Sequence, residues 1–319
     1  MSAKPKILLT RRWPEAVETR LAAAYDVTLN DTDRPLGEAE LAAAMREHDA
    51  LCPTVTDRIT RAVMEVDDRR TRIIGNYGAG FEHIDLAAAR ALGIAVTNTP
   101  DVLTEATADI AMTLLLMASR RAGEGERELR AGAWTGWRPT HLVGQSLSGK
   151  LLGLVGFGRI ARATAKRAEA FGMRIAYHSR RPAPDMPQDA YFADLGELAE
   201  RADMLCLHAP GGAETRHMVD AALLARMPAH GVLVNTGRGT LIDEAALAEA
   251  LAARQIAAAG LDVYEAEPKV HPALVDLPNV VLLPHLGSAT IEARTAMGMK
   301  VADNLDRFFA GEPLLDPVI

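Results

Sequence analysis

The sequence predicts an α/β protein of two domains, each a doubly wound parallel sheet covered by helices. Short apolar runs alternate with helical patterns along almost the whole chain, as parallel strands joined by crossover helices do. The alternation occurs twice, over about the first hundred residues and again from Lys150, with a long helix and an irregular stretch between. At 319 residues the chain exceeds one typical domain, and its 49% hydrophobic and 24% charged content is that of a globular protein.

In the first half, Lys6–Leu9 reads as a buried strand and Pro14–Ala24 as an amphipathic helix with proline in its first turn. Strands recur at 26–29, 50–52, 72–74 and 94–97, with helices at 37–46, 57–66 and 86–91 between them. Pro100 breaks the alternation, and an apolar helix follows over about 103–121, a candidate link between domains. The segment 120–130 alternates in charge and reads as a solvated helix face. The stretch AGAWTGWRPTHLVGQSLSGK lacks periodicity and carries Trp134 and Trp137. Exposed aromatic arms bind something, often a second subunit, although both rings could instead cap their own domain. From Lys150 the expected strands are 151–155, 173–177, 203–207, 232–235, 256–260 and 280–283. A final helix, 289–309, is expected to return to the N-terminal unit.

The second unit opens with KLLGLVGFGRIA, an apolar strand, a turn of Gly156, Phe157 and Gly158, then a helix beginning at Arg159 and Ile160. This is the fingerprint of a dinucleotide site: Gly156 permits the tight turn, and Gly158 lets backbone approach a pyrophosphate at the positive helix end. Ala161 fills the third position, where only close packing is at stake. The next strand ends in Tyr177-His178-Ser179-Arg180-Arg181, with no carboxylate to receive the adenine ribose. Two guanidinium groups and a hydroxyl suit a 2′-phosphate, so NADP(H) is expected over NAD(H), with NAD(H) remaining possible. The bland alternative is that both arginines are solvated turn residues before Pro182.

Three polar motifs follow later strands: VLVNTGRG with Arg238, GLDVYEAEP with Glu267, and PHLGSAT with His285. An arginine, a carboxylate and a histidine beside a nicotinamide supply what reduction of a 2-oxo acid needs. Arg238 would hold the substrate carboxylate and polarise the ketone, and His285 would protonate the ketone oxygen. Glu267 would pair with the imidazolium and keep that acid loaded near neutrality. His83 and His208 are decoys, the first at a loop–helix junction, the second a packed imidazole behind a strand. No His, Cys or carboxylate cluster has metal-ligand spacing.

These residues resemble the D-isomer-specific 2-hydroxyacid dehydrogenase family over essentially the whole chain. The matching segments are NYGAGFEHID, TNTPDVLTEATADIAMTLLL, GLVGFGRIA, HAPGGAETRHM, LVNTGRGTLIDEAAL, GLDVYEAEP and LPHLGSAT. The resemblance implies Arg238, Glu267 and His285 as the catalytic three, and the amides of Ala79 and Gly80 as holders of the substrate carboxylate. It adds Thr107, Ala209, Pro210, Thr215, Thr236, Gly237, Asp262 and Gly287 to the cofactor site, with Asp262 at the nicotinamide amide and Thr104 a rival for Thr107. SRR and WTGW look like the glyoxylate/hydroxypyruvate reductases, in which an arm tryptophan reaches the partner's active site; Trp137 is the candidate. Glu267 stands where formate dehydrogenases are expected to carry Gln, and YGAG lacks the Lys of phosphite oxidation.

The expectation is therefore a Rossmann-type cofactor domain over 100–286 and a flavodoxin-like substrate domain over 1–99 and 287–319, with a cleft between them that closes on binding. The expected activity is NADPH-dependent reduction of glyoxylate or hydroxypyruvate. The same chemistry on a bulkier 2-oxo acid is the near alternative, and a non-enzymatic dinucleotide-sensing protein the distant one. A net charge of −7 with interspersed signs excludes a nucleic-acid or membrane surface. The absence of an apolar leader and the placement of Cys52 and Cys206 in apolar runs point to a reducing, cytoplasmic setting, and the aromatic arm with the resemblance points to a homodimer.

Overall fold

In a computed structural model, which describes residues 3–319, the chain divides into two compact units, Met1–Leu103 with Ala289–Ile319, and Thr104–Ser288. The first unit begins with β1 (Lys6–Leu9), α1 (Glu15–Ala24), β2 (Asp26–Leu29), α2 (Glu38–Glu47), β3 (Ala50–Cys52), α3 (Arg61–Met64), β4 (Ile73–Gly75), α4 (Leu86–Ala91) and β5 (Ala95–Thr97). All five strands are parallel, in the order β2-β1-β3-β4-β5, which is the flavodoxin-like arrangement.

Because successive strand side chains face opposite sides, both faces need cover. Leu8, Leu51, Ile74 and Val96 join one buried cluster, whereas Ile7, Leu9, Cys52 and Ile73 join the other. Pro14 caps α1 from outside instead of entering its first turn. The helix expected at 57–66 shrinks to one turn. Asp57 is taken by the Thr10 hydroxyl at 2.6 Å and the Thr54 amide at 2.8 Å, and Thr60 then caps Val63.

The second unit runs α5 (Thr104–Ser119), α6 (Ala122–Arg130), β6 (Leu151–Val155), α7 (Arg159–Ala170), β7 (Arg174–His178), β8 (Tyr191–Phe192), α8 (Leu195–Arg201), β9 (Met204–Leu207), α9 (Ala221–Arg226), β10 (Val232–Asn235), α10 (Glu244–Ala252), β11 (Ala258–Leu261), α11 (Pro272–Val275) and β12 (Val280–Leu282). The helix expected over 103–121 stops at Ser119, since Arg121 adopts a left-handed φ of 54° and α6 starts afresh. It packs within this unit, where a Cβ on Gly260 would lie 2.9 Å from Leu114. The arm after α6 contains no helix or strand until Leu151, and Trp134 and Trp137 are 51% and 82% exposed on it.

The seven-stranded sheet has the order β12-β11-β10-β9-β6-β7-β8, all parallel. That is the Rossmann order with one strand added at the far end. The sequence reading found six strands and missed β8, whose two residues carry no periodic signal. Leu152, Leu154, Cys206 and Val234 pack on one face, and Val155, Leu205, Leu207 and Leu233 on the other. The chain ends in α12 (Ile291–Ala310), which packs on α1 and β4 of the first unit. Among the described residues no helix is long and apolar enough to cross a membrane.

Candidate active site

The strand order reverses where β6 lies between β7 and β9, and the loops leaving β6 and β9 meet there. Gly156 sits at φ 84°, and a Cβ on it would fall 2.7 Å from the Ala209 amide nitrogen. Both the backbone and the neighbour therefore demand glycine. Gly158 differs: its φ is −83°, and a Cβ on it would meet nothing within 4 Å. No side chain caps α7, which begins at Arg159 and Ile160, and the space in front of Gly158 at its N-terminus is open. An open cradle at a helix N-terminus fits a pyrophosphate. Ala161 is fully buried against the sheet, as the third fingerprint position requires.

Beside this turn a cavity of about 690 Å³ is lined by Phe157, Arg162, Ser179, Arg180, Arg181 and Ala183. Phe157 stacks on Tyr177 with ring centres 4.1 Å apart. The Tyr177 hydroxyl accepts the Ala183 amide at 2.8 Å, and the Ser179 hydroxyl donates to the Arg181 carbonyl at 2.6 Å, which shapes the loop after β7. Arg162 was not singled out from sequence. Its signal was the run Arg159, Arg162, Lys166 and Arg167 on the helix that follows the glycines.

Three loops at the carboxyl ends of β10, β11 and β12 carry the remaining groups. In the first, Asn235 is fully buried; its side chain donates to the Arg238 carbonyl at 2.9 Å and accepts the Gly237 amide at 3.0 Å. Gly239 is obligatory, because a Cβ there would fall 1.8 Å from the Tyr264 backbone. The Arg238 guanidinium donates to the Gly237 carbonyl at 2.8 Å. Thr236 is buried, and its hydroxyl lies 3.4 Å from His208 Nδ1. Burial pushes His208 down to about 4, which leaves it neutral, with its other nitrogen 3.3 Å from the Cys206 thiol. Pro210 and Thr215 belong to the loop after β9, where the Thr215 hydroxyl donates to the Pro210 carbonyl at 2.8 Å.

In the third loop His285 holds a left-handed φ of 55°, uncommon for a residue with a side chain. Such strain persists only where the surroundings over-determine it. Here Asp262 supplies the restraint: its carbonyl accepts the His285 amide at 2.9 Å, and its carboxylate accepts Leu286 at 2.6 Å and Gly287 at 2.8 Å. Burial raises the Asp262 carboxyl above its usual range, partly countered by those amides and by His285. Thr107, not Thr104, reaches this loop, donating to the Gly287 carbonyl at 3.1 Å.

His285 Nδ1 lies 2.9 Å from Glu267 Oε2, and the Tyr264 amide donates to Glu267 Oε1 at 3.0 Å. Burial is the largest single influence on the Glu267 carboxyl and disfavours its charge. The hydrogen bond and charge of His285, the Tyr264 amide and Arg238 together outweigh it and hold the group below the ordinary carboxylate range. An ionised Glu267 accepts, so His285 Nδ1 donates to it and Nε2 is left to exchange a proton. The two side chains remain 32% and 37% exposed, accessible to a small molecule.

In the first unit, three successive carbonyls of the loop after β4 are tied. Gly78 O accepts from Thr99 N and Asn76 Nδ2, Ala79 O from Asn98 Nδ2 at 2.7 Å, and Gly80 O from Asn76 Nδ2 at 2.8 Å. Among the described residues the amides of Ala79 and Gly80 find no acceptor, an arrangement suited to an anion. Sequence reasoning missed Asn76 and Asn98, which build it. His83 is committed to Asn76 Oδ1 at 3.0 Å. Among the described residues no group of His, Cys, Asp and Glu could hold a metal ion.

The family described as "D-isomer specific 2-hydroxyacid dehydrogenase, NAD binding domain" matches residues 112–287. A glyoxylate reductase of Thermococcus litoralis is 42% identical over 315 residues, covering 97% of this chain and 95% of the relative. A glycerate dehydrogenase of Hyphomicrobium methylovorum is 39% identical over 313 residues, covering 97% of each. An NADPH-dependent glyoxylate/hydroxypyruvate reductase of Sinorhizobium meliloti, solved with NADP and malonate, superposes with a TM-score of 0.89 at 40% identity, over 99% of this chain and 97% of that one.

Proposed function

The chain belongs to the D-isomer specific 2-hydroxyacid dehydrogenase family, and we propose that it uses NADPH to reduce a small 2-oxo acid, glyoxylate or hydroxypyruvate, to the 2-hydroxy acid. The observation that carries this reading is the Glu267–His285 pair held on a strained, braced loop beside Arg238. Bound at the Gly156–Gly158 turn, a reduced nicotinamide cofactor supplies the hydride. His285 delivers the proton from Nε2 to the ketone oxygen, and Glu267 stabilises the charged imidazole before transfer and fixes its orientation. Arg238 holds the substrate carboxylate. Thr107, Gly287 and Asp262 keep the His285 loop in place, and Asp262 retains lone pairs for the nicotinamide amide.

NADPH in preference to NADH is supported by Ser179, Arg180 and Arg181 lining one pocket after a strand that ends without a carboxylate. The relatives named for glyoxylate and glycerate, and the neighbour named for glyoxylate and hydroxypyruvate, support a substrate of two or three carbons. The exposed arm rings support a homodimer in which Trp137 serves the partner's site. The test is initial rates with glyoxylate, hydroxypyruvate, pyruvate and phenylpyruvate, each against NADPH and NADH. Highest kcat/KM for the two small acids with NADPH is the expected result. Preference for phenylpyruvate, or for NADH, would overturn the corresponding half of the proposal.

A further inference from the structure

The pocket beside Phe157 is lined by a third guanidinium, besides those of Arg180 and Arg181. Arg162 stands in the first turn of α7, with its Cζ 4.6 Å from the centre of the Phe157 ring. Its Nη2 donates to Asp185 Oδ1 at 2.9 Å, and its Nη1 lies against the other oxygen of the same carboxylate. Asp185 comes from the loop that also carries Ser179, Arg180 and Arg181. That loop is pinned where the Ala183 amide meets the Tyr177 hydroxyl, and Tyr177 in turn stacks on Phe157. One aromatic pile therefore locates both the cation and the carboxylate at the pocket wall.

We propose that Arg162 is a specificity residue for NADPH, and that Asp185 occupies its fork as an internal stand-in for the 2′-phosphate. This rests on reading the pocket as the NADPH site. A planar guanidinium receives two oxygens of a carboxylate or of a phosphate with the same geometry, so one can replace the other without moving the arginine. The exchange favours phosphate, whose charge approaches −2 against −1 for the carboxylate. Asp185 is 62% exposed, so releasing it returns the carboxylate to water, and exposed ion pairs are weak. A 2′-hydroxyl carries no charge to displace Asp185, and with NADH the pair stays closed. Arg162 thus adds to discrimination while Asp185 tempers the affinity for every phosphate-bearing ligand.

The test is cofactor binding, read by energy transfer from protein to reduced nicotinamide, for the wild type, Arg162→Gln, Asp185→Asn and the double variant. Arg162→Gln is expected to weaken NADPH by about tenfold and leave NADH within about twofold. Asp185→Asn is expected to tighten NADPH by about two- to fivefold with NADH unchanged. In the double variant the Asp185 effect should vanish, because its target is gone. Equal weakening of both cofactors by Arg162→Gln would make the residue a support of Phe157 and overturn the proposal, as would an Asp185→Asn variant indistinguishable from wild type. A wild type that binds NADH as tightly as NADPH would overturn the NADPH reading and this inference together. Wild-type discrimination that survives Arg162→Gln would overturn this inference alone.

Discussion

Gly158→Ala separates what the glycine turn does for a ligand from what it does for the fold. The backbone at Gly158 is extended, with φ −83°, so alanine adopts it without strain. The added methyl meets no protein atom within 4 Å. Removing a glycine also restricts the unfolded chain, so stability should hold or rise by up to about 1 kcal/mol. The methyl does, however, occupy the space in front of the α7 amides where the pyrophosphate is expected. NADPH and NADH should both lose about tenfold or more in affinity. Gly156→Ala is the contrast: a left-handed residue costs roughly 1–2 kcal/mol, and overpacking against Ala209 at 2.7 Å adds about 1–3 kcal/mol. Denaturant unfolding paired with calorimetric titration of NADPH measures both quantities. A Gly158→Ala protein of unchanged stability that binds NADPH as tightly as wild type would refute the placement of the phosphates.

Glu267→Gln removes the charge beside His285 while keeping the shape. A charge-assisted hydrogen bond contributes about 1.5–3 kcal/mol, discounted here because both side chains are about a third exposed. The kcat/KM for reduction should therefore fall by about tenfold, at about 1.4 kcal/mol per tenfold; an unchanged kcat/KM would separate Glu267 from the proton donor. The Glu267 carboxyl is depressed in the folded protein, so its contribution to stability is full above the unfolded value of about 4.3 and is lost as pH falls through the folded one. Denaturant titrations should accordingly show wild type and Glu267→Gln converging in stability as the pH is lowered through that window. Arg180→Ala with Arg181→Ala should weaken NADPH at least about tenfold and NADH little; equal losses measured by titration would make the two arginines loop scaffolding.

Local chemistry was legible in the sequence. Gly156 and Gly158 mark a turn within a few residues of a strand and a helix, Arg238 and His285 come three residues after an apolar strand, and Glu267 six residues after one. Much of what holds those groups acts across long separations and leaves no local pattern. Asp262 grips amides at Leu286 and Gly287, Thr107 reaches Gly287 from another helix, and Asn76 and Asn98 turn the loop at Ala79 and Gly80 by side chain-to-backbone bonds. The edge strand Tyr191–Phe192 escaped because two residues cannot show a period. The break at Arg121 escaped because the helical apolar pattern gives no warning of one left-handed residue.

The central claim is that His285 moves the proton, and His285→Asn tests it most directly. Asparagine tolerates the left-handed backbone but cannot act as an acid in this range. With glyoxylate and NADPH, kcat/KM should fall by about 10²- to 10⁴-fold, while the dissociation constant for NADPH stays within about twofold of wild type. Retained turnover, or loss of NADPH binding in step with activity, would contradict the account.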